Sequence, residues 1–309
     1  MATPNPITAG PRAVLHDPVV FLLELLWRWC FGGVAFAVLF ASALALSNGV
    51  TVTAADSVGL RSHDALQVTL ALRHTLAIMP ARLLITALAV LLFVTLLWTL
   101  LGAAGRALLL SRTAPDKRPF RFRSILVVQG WRAAFAWLAI LAMITLIAVA
   151  AGIAGSKKDP DPFFFYLVGM VSSLFIAVFW AAINWYLSLA TIFCYAGTRA
   201  RGAVRETIGW VHVRAADLGG ISGIFVLVRL AFVALTVILL FLPSGILAAS
   251  PRASFLWMSV VALLYFGFSD FLNIARLLSY MSVEDAVAEE IIEASGRHPG
   301  ESKRRPPRF

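Results

Sequence analysis

The sequence predicts an all-α, polytopic integral membrane protein in which six transmembrane helices form three hairpins, with amphipathic helices lying at the interface. Three observations predict it. Hydrophobic residues make up 60% of the 309-residue chain, charged residues only 14%, and the mean hydropathy is +0.86, where a soluble domain carries about 25% charged residues. Six stretches are nearly free of charge, and each reaches the ~20 residues that cross ~30 Å of hydrocarbon. The 26 Lys and Arg residues are divided unevenly among the segments that join those stretches. Backbone polar groups in lipid have to be paired within the chain, so crossing segments of this composition are helices.

The first span falls in the uncharged run between Arg28 and Asp56. Ala43-Leu44-Ala45 has the small-x-small form of a cleavage site, but the preceding stretch is too long for a basic n-region and is apolar from Pro18 onward. The span is therefore expected to act as its own signal anchor. The next three runs lie between Arg82 and Arg106, Arg132 and Lys157, and Asp161 and Arg199. The fifth, 221–242, is interrupted by Arg229, and the sixth, 255–278, by Asp270 and Arg276 near its end.

The external links are short at 155–162 and 243–254 and longer at 47–80. In the longer one, Ala65, Val68, Leu72, Leu76 and Met79 recur at helical spacing, which predicts an interfacial helix ended by Pro80. Similar approach segments precede spans one, three and five. Arg121-Phe122-Arg123 before Gly130-Trp131 is echoed by Arg199-Ala200-Arg201 before Gly209-Trp210, a composition expected at any membrane interface. After span six, Ser282 and Asp285 have capping-box spacing and predict a short acidic helix over 283–294, stopped by Gly296. The basic tail beyond it has too few apolar residues to fold. The chain thus divides into a six-helix membrane domain, 1–281, and a cytoplasmic segment, 282–309.

Orientation follows from the positive-inside rule. One side receives Arg12, Arg28, the seven basic residues from Arg106 to Arg132, the four from Arg199 to Arg214, and the six from Arg276 to Arg308, nineteen in all. The other receives Arg61, Arg73, Arg82, Lys157, Lys158 and Arg252. The expectation is a bacterial inner-membrane protein with both termini in the cytoplasm. The net charge of +10 belongs to these flanks, which favours contact with anionic lipid headgroups. No nucleic-acid module accompanies it. Cys30 and Cys194 fall near span ends on the reducing side and fit no zinc pattern, so they read as small packing residues.

Polar residues inside spans are the candidates for function. Arg229 and Asp270 fall at matched depth, roughly 6–8 Å inside the inner boundary at 1.5 Å per residue, close enough in depth to pair. Asn184 lies at a similar depth on span four, and Asn273 is nearly a turn from Asp270. Glu24 and Arg28 have the favourable i,i+4 order at the inner end of span one. Glu24, Arg28, Asn184, Arg229, Asp270 and Asn273 form the candidate polar cluster. The bland alternative is that Arg229 snorkels, Asp270 neutralises it and the asparagines join helices. His63, Asp64 and His74 lack further ligands and read as solvated interfacial side chains. No motif assigns a catalytic, cofactor-binding or metal-binding residue.

Three short resemblances bear on function. Gly220-Ile221-Ser222-Gly223 is similar to the G-x-S-G element of rhomboid intramembrane proteases, but the sixth span has no histidine to act as base, so Gly219 and Gly223 read as a helix contact instead. Ala37, Ala41 and Ala45 resemble the alanine motif by which substrate-binding subunits of energy-coupling-factor transporters dock, and read as packing. The layout of three hairpins with Arg-rich turns, and the segment Glu24-Leu25-Leu26-Trp27-Arg28-Trp29, resemble uncharacterised six-span bacterial inner-membrane proteins and the membrane domain of some glycerophosphodiester phosphodiesterases, whose catalytic domain has no counterpart here. The reading is a non-enzymatic protein that binds a protein partner or assists assembly, the alternative being a small transporter or transporter subunit using the region of Arg229 and Asp270. No cofactor is expected.

Overall fold

In the computed structural model all six apolar runs are helical, and the described residues form ten helices and no strand. The structure describes residues 5–47, 49–50, 52–113, 122–156, 161–241 and 250–294. Six helices are long and apolar enough to cross a membrane: α2 (Pro18–Ser47), α5 (Ala81–Thr113), α6 (Phe122–Gly155), α7 (Pro162–Tyr195), α9 (Ala215–Phe241) and α10 (Pro251–Ala294). The shorter ones are α1 (Pro6–His16), α3 (Ala54–Leu60), α4 (Ala65–Ile78) and α8 (Ala200–Val213). Phe36, Phe175 and Leu227 are among many large apolar side chains left exposed along the long helices. In water this pattern would be strongly unfavourable, and in lipid it is the solvated state.

Local chemistry sets the helix ends. Proline opens α1, α2, α7 and α10, where its fixed φ suits the first turn and its missing N–H would be unpaired anyway. Pro18 also explains the break between α1 and α2. It excludes helical geometry from the preceding residue, and Asp17 accordingly sits at φ −121°, ψ 83°. At the end of α7, Gly197 adopts φ +96°, with Thr198 N donating to Phe193 O and Gly197 N to Cys194 O. This is a Schellman closure, for which glycine carries no Cβ penalty. Thr53 and Asp64 cap α3 and α4 through their side chains.

The chain divides into two compact units. One comprises Met1–Trp27, Gly105–Arg121 and Leu189–Phe309, the other Arg28–Ala104 and Phe122–Ser188. In the first, α1 lies on α10, with Gly10 seated so closely that a Cβ would run into the Ala275 carbonyl oxygen and Ser279 Oγ. Aromatic contacts connect Phe21 of α2 to Phe271 of α10, Phe271 to Phe268 of the same helix, and Phe268 to Phe232 of α9. In the second unit, α4 packs on α6 and α7 through Leu66, Ala150, Ala151, Ala154 and Phe165.

Several local expectations change. The helix before Pro80 forms, but its docked face is Leu66, Leu70, Ala71 and Thr75, while Leu72 and Leu76 of the predicted stripe are 47% and 50% exposed. Helical spacing alone could not choose between two neighbouring apolar stripes. The sixth span does not end before the acidic segment: α10 is continuous to Ala294, and Ser282 Oγ donates back to Ser279 O rather than opening a new helix. Approach helices precede spans one and five as α1 and α8, whereas span three begins within α6 from Phe122. The echoed Gly-Trp pairs accordingly differ, one lying inside α6 and the other near the end of α8. A Cβ at Gly219 or Gly223 would meet nothing within 4 Å, so neither seats a helix among the described residues. Ala37, Ala41 and Ala45 are exposed rather than packed, and so is Cys30, while Cys194 is buried. Gly296 and the basic tail lie outside the described residues.

Candidate functional site

The charged side chains drawn into the helices are fixed by the helix ends around them. In the first unit, Glu24 is one turn and a half into α2 and fully buried. Trp27 Nε1 donates to its Oε2 at 2.8 Å, and Arg106 Nη2 of α5 stands 3.8 Å from Oε1. Gly105 makes the approach of α2 and α5 possible, because a Cβ there would strike the Trp27 indole. A buried carboxylate and a buried guanidinium each carry a large desolvation cost, which their mutual placement offsets.

At the surface of the same unit, Arg112 Nε and Nη2 grip Asp17 at 2.8 and 3.3 Å. The Arg112 hydrogen bond is the main reason the Asp17 carboxyl is held below its ordinary value of 3.8. Arg229 lies on the packed face of α9 with Ile221 and Phe225, half-buried, and donates from Nη2 to Ser269 Oγ at 2.6 Å. Ser269 immediately precedes Asp270, which is buried, and Asn273 is half-buried one turn on.

In the second unit, Asn184 of α7 is the acceptor for Arg132 of α6. Its Oδ1 receives Arg132 Nε at 2.9 Å and Nη2 at 2.7 Å, while Nη1 donates to the buried Gln129 Oε1 at 3.1 Å. The guanidinium carbon also lies 5.8 Å from the centre of the Trp98 ring, within range of a cation–π interaction. Arg28 is half-buried and belongs to this unit too. Toward the other end, Arg73 reaches over Gly152, where a Cβ would come within 2.7 Å of Nη1. A cation at the last turn of α6 meets the negative end of its dipole. His74 Nδ1 is 2.8 Å from Asp56 Oδ2, which also accepts from Thr53 Oγ1 at 2.7 Å. Thr53 first, and His74 second, hold the Asp56 carboxyl below 3.8. Asp64 caps α4 and accepts from Tyr166 OH at 3.2 Å. Among the described residues no three His, Cys, Asp or Glu side chains group as metal ligands.

Of the sequence candidates, Glu24 stands on Trp27 and Arg106, Arg229 on Ser269 beside Asp270, and Asn184 on Arg132. Sequence reasoning missed Arg106 and Arg132 because it counted both as topology-setting loop charges. A signal was present in each case. Arg106 follows the small-residue run Gly102-Ala103-Ala104-Gly105, which permits close approach, and Arg132 follows Gln129 within otherwise apolar sequence. No protein-family model, no curated protein and no solved structure matches the chain.

Proposed function

We propose that the chain is a non-enzymatic protein of a bacterial cytoplasmic membrane, with both termini inside, which binds or helps assemble a protein partner through its basic face. The observation that carries this reading is α8. Its Ala203, Thr207 and Val211 are buried, and the opposite face presents Arg201, Arg205, Ile208 and His212 to the outside. A short amphipathic helix with an exposed basic stripe offers an acidic partner both charge and an apolar anchor. The polar groups inside the helices favour the same reading, since Glu24, Arg106, Arg132 and Asn184 brace helices against one another. The resemblance in layout to six-span inner-membrane proteins and to the phosphodiesterase membrane domain supplies a setting and no reaction.

The topology is tested with alkaline phosphatase fusions, active after Gly155 and Gly245 and inactive after Asp116 and at the C-terminus. For the partner, a photo-crosslinking residue at Ile208 should give a discrete protein adduct that disappears when Arg201 and Arg205 are both changed to Glu. An adduct indifferent to charge reversal, or adducts with lipid alone, would refute partner binding by this face.

One observation favours a transporter as the second reading. Arg229 is near the middle of α9, and among the described residues its hydrogen-bond partner is the neutral Ser269 hydroxyl. A cation so placed is suited to an anionic substrate. Anions that raise the melting temperature of the wild type but not of Arg229→Gln would support this reading; stabilisation of both alike would remove it.

A further inference from the structure

We propose that the groove between α6 and α7 is a binding site for one acyl chain of an anionic phospholipid, with Arg132 at its end receiving the headgroup phosphate. The groove arises from a mismatch in side-chain size. Ala139 and Ala142 of α6 face Phe175, Phe179, Trp180 and Ile183 of α7, leaving about 190 Å³ with apolar walls. Phe175 is 73% exposed and Phe179 60%, so the groove opens on the side where a spanning helix meets lipid. From Phe135 to Ala142 it follows α6 for seven residues, roughly 10 Å at 1.5 Å per residue. That length accommodates part of one hydrocarbon chain and leaves the headgroup outside.

The position of Arg132 determines which lipid. Arg132 precedes Phe135 by three residues on α6, and Asn184 follows Ile183 on α7, so the pair stands on the stripes that line the groove, within one turn of its end. The hydrogen bonds from Arg132 to Asn184 and Gln129 fix the plane of the guanidinium. Trp131 and Trp185 flank that level, both half-buried, as expected at a headgroup boundary. Arg123, exposed nearer the start of α6, adds a second charge of the same sign, and the first turn of α6 holds no acid. An arginine held in a fixed plane recognises phosphate geometry. The basic surroundings favour a headgroup with net negative charge over a zwitterionic one.

The intact protein in mild detergent is offered an equimolar mixture of phosphatidylglycerol and phosphatidylcholine with identical chains, and retained lipid is read by native mass spectrometry. Wild type should retain the anionic lipid in preference by about fivefold, the weight of one basic residue at an anionic surface. Arg132→Gln should bring the two lipids to near parity and Arg132→Lys should keep much of the preference. Ala142→Phe, which fills the groove, should lose both lipids without lowering the melting temperature. If Arg132→Gln does not fold, brominated lipids give an independent reading: brominated phosphatidylglycerol should quench a fluorescence component that is missing from Trp180→Phe, and brominated phosphatidylcholine should quench it less. Equal retention of the two lipids by wild type, retention unchanged by Ala142→Phe, or a lipid-free dimer that closes the groove with a second copy would each overturn the proposal.

Discussion

Arg106 in the first unit and Arg132 in the second are both drawn in among helices, yet they are held by opposite chemistry. Arg106 stands against a fully buried carboxylate, Glu24, whose other oxygen is taken by Trp27. Arg132 is held by the amide oxygens of Asn184 and Gln129. A buried ion pair makes each charge depend on the other, so loss of one strands its partner. Neutral amides orient a guanidinium at lower risk, because when one of them is removed the other still accepts from it. The first unit therefore uses its charges to clamp α2 to α5, whereas the second uses amides to position a charge.

The largest effect should come from the clamp. Glu24→Gln should destabilise the protein in detergent by roughly 3–5 kcal/mol, the usual cost of breaking a buried pair on one side, and Glu24→Gln with Arg106→Gln should recover part of that loss. Full additivity in this double-mutant cycle, measured by thermal unfolding, would show that the two side chains are not coupled. An Asn184→Ala variant should lose less than Glu24→Gln, and the reverse order would break the contrast between the two units.

Packing comes next. Gly10→Val should cost roughly 1–3 kcal/mol, the range for overpacking, since even a Cβ meets the backbone of α10. Gly223→Ala should have the opposite sign, stabilising by up to about 1 kcal/mol through helix propensity, because its surroundings are open. A destabilised Gly223→Ala would reinstate the helix contact that the sequence predicts there.

Smaller still is the hydrogen bond from Trp137 Nε1 of α6 to Thr95 Oγ1 of α5 at 2.9 Å. Trp137→Phe should cost about 0.6 kcal/mol, the average for a polar contact between membrane helices. The smallest effect is expected at Asp56. Its folded carboxyl is held below 3.8 by Thr53 and His74, so its contribution is complete above the ordinary carboxylate range and is lost as pH falls through the lowered value. Protection of the α3 amides, relative to the intrinsic exchange rate at each pH, should be constant from neutral pH to about pH 4 and fall below that in wild type. Asp56→Asn should remove this acid-dependent step. Loss of protection at the same pH in both would assign it to another group.

The spans were legible because their signal is compositional. The run between Arg82 and Arg106 carries no charge on any side, and any register of a helix satisfies it. Docking of α4 was not legible to the same degree: Val68, Leu72 and Leu76 form an apolar stripe as regular as the one that Leu66, Leu70 and Ala71 supply. The candidate site was half visible. Glu24 and Asn184 stood out as polar groups in apolar surroundings, but each is held by an arginine far away in the sequence, Arg106 and Arg132 respectively.

By itself the sequence determined that this chain carries six membrane-crossing helices, because the backbone in lipid has few alternatives and the crossing length is set by the bilayer. The helix starts at Pro18, Pro162 and Pro251 and the turn at Gly197, seen in the structure, are likewise local, because their geometry belongs to single residues. Only the tertiary structure decided which arginine meets Glu24, which holds Asn184, that Gly10 seats against Ser279, and which stripe of α4 is covered. Those are pairings between distant segments, and they depend on the relative rotation and depth of whole helices, which local composition leaves free.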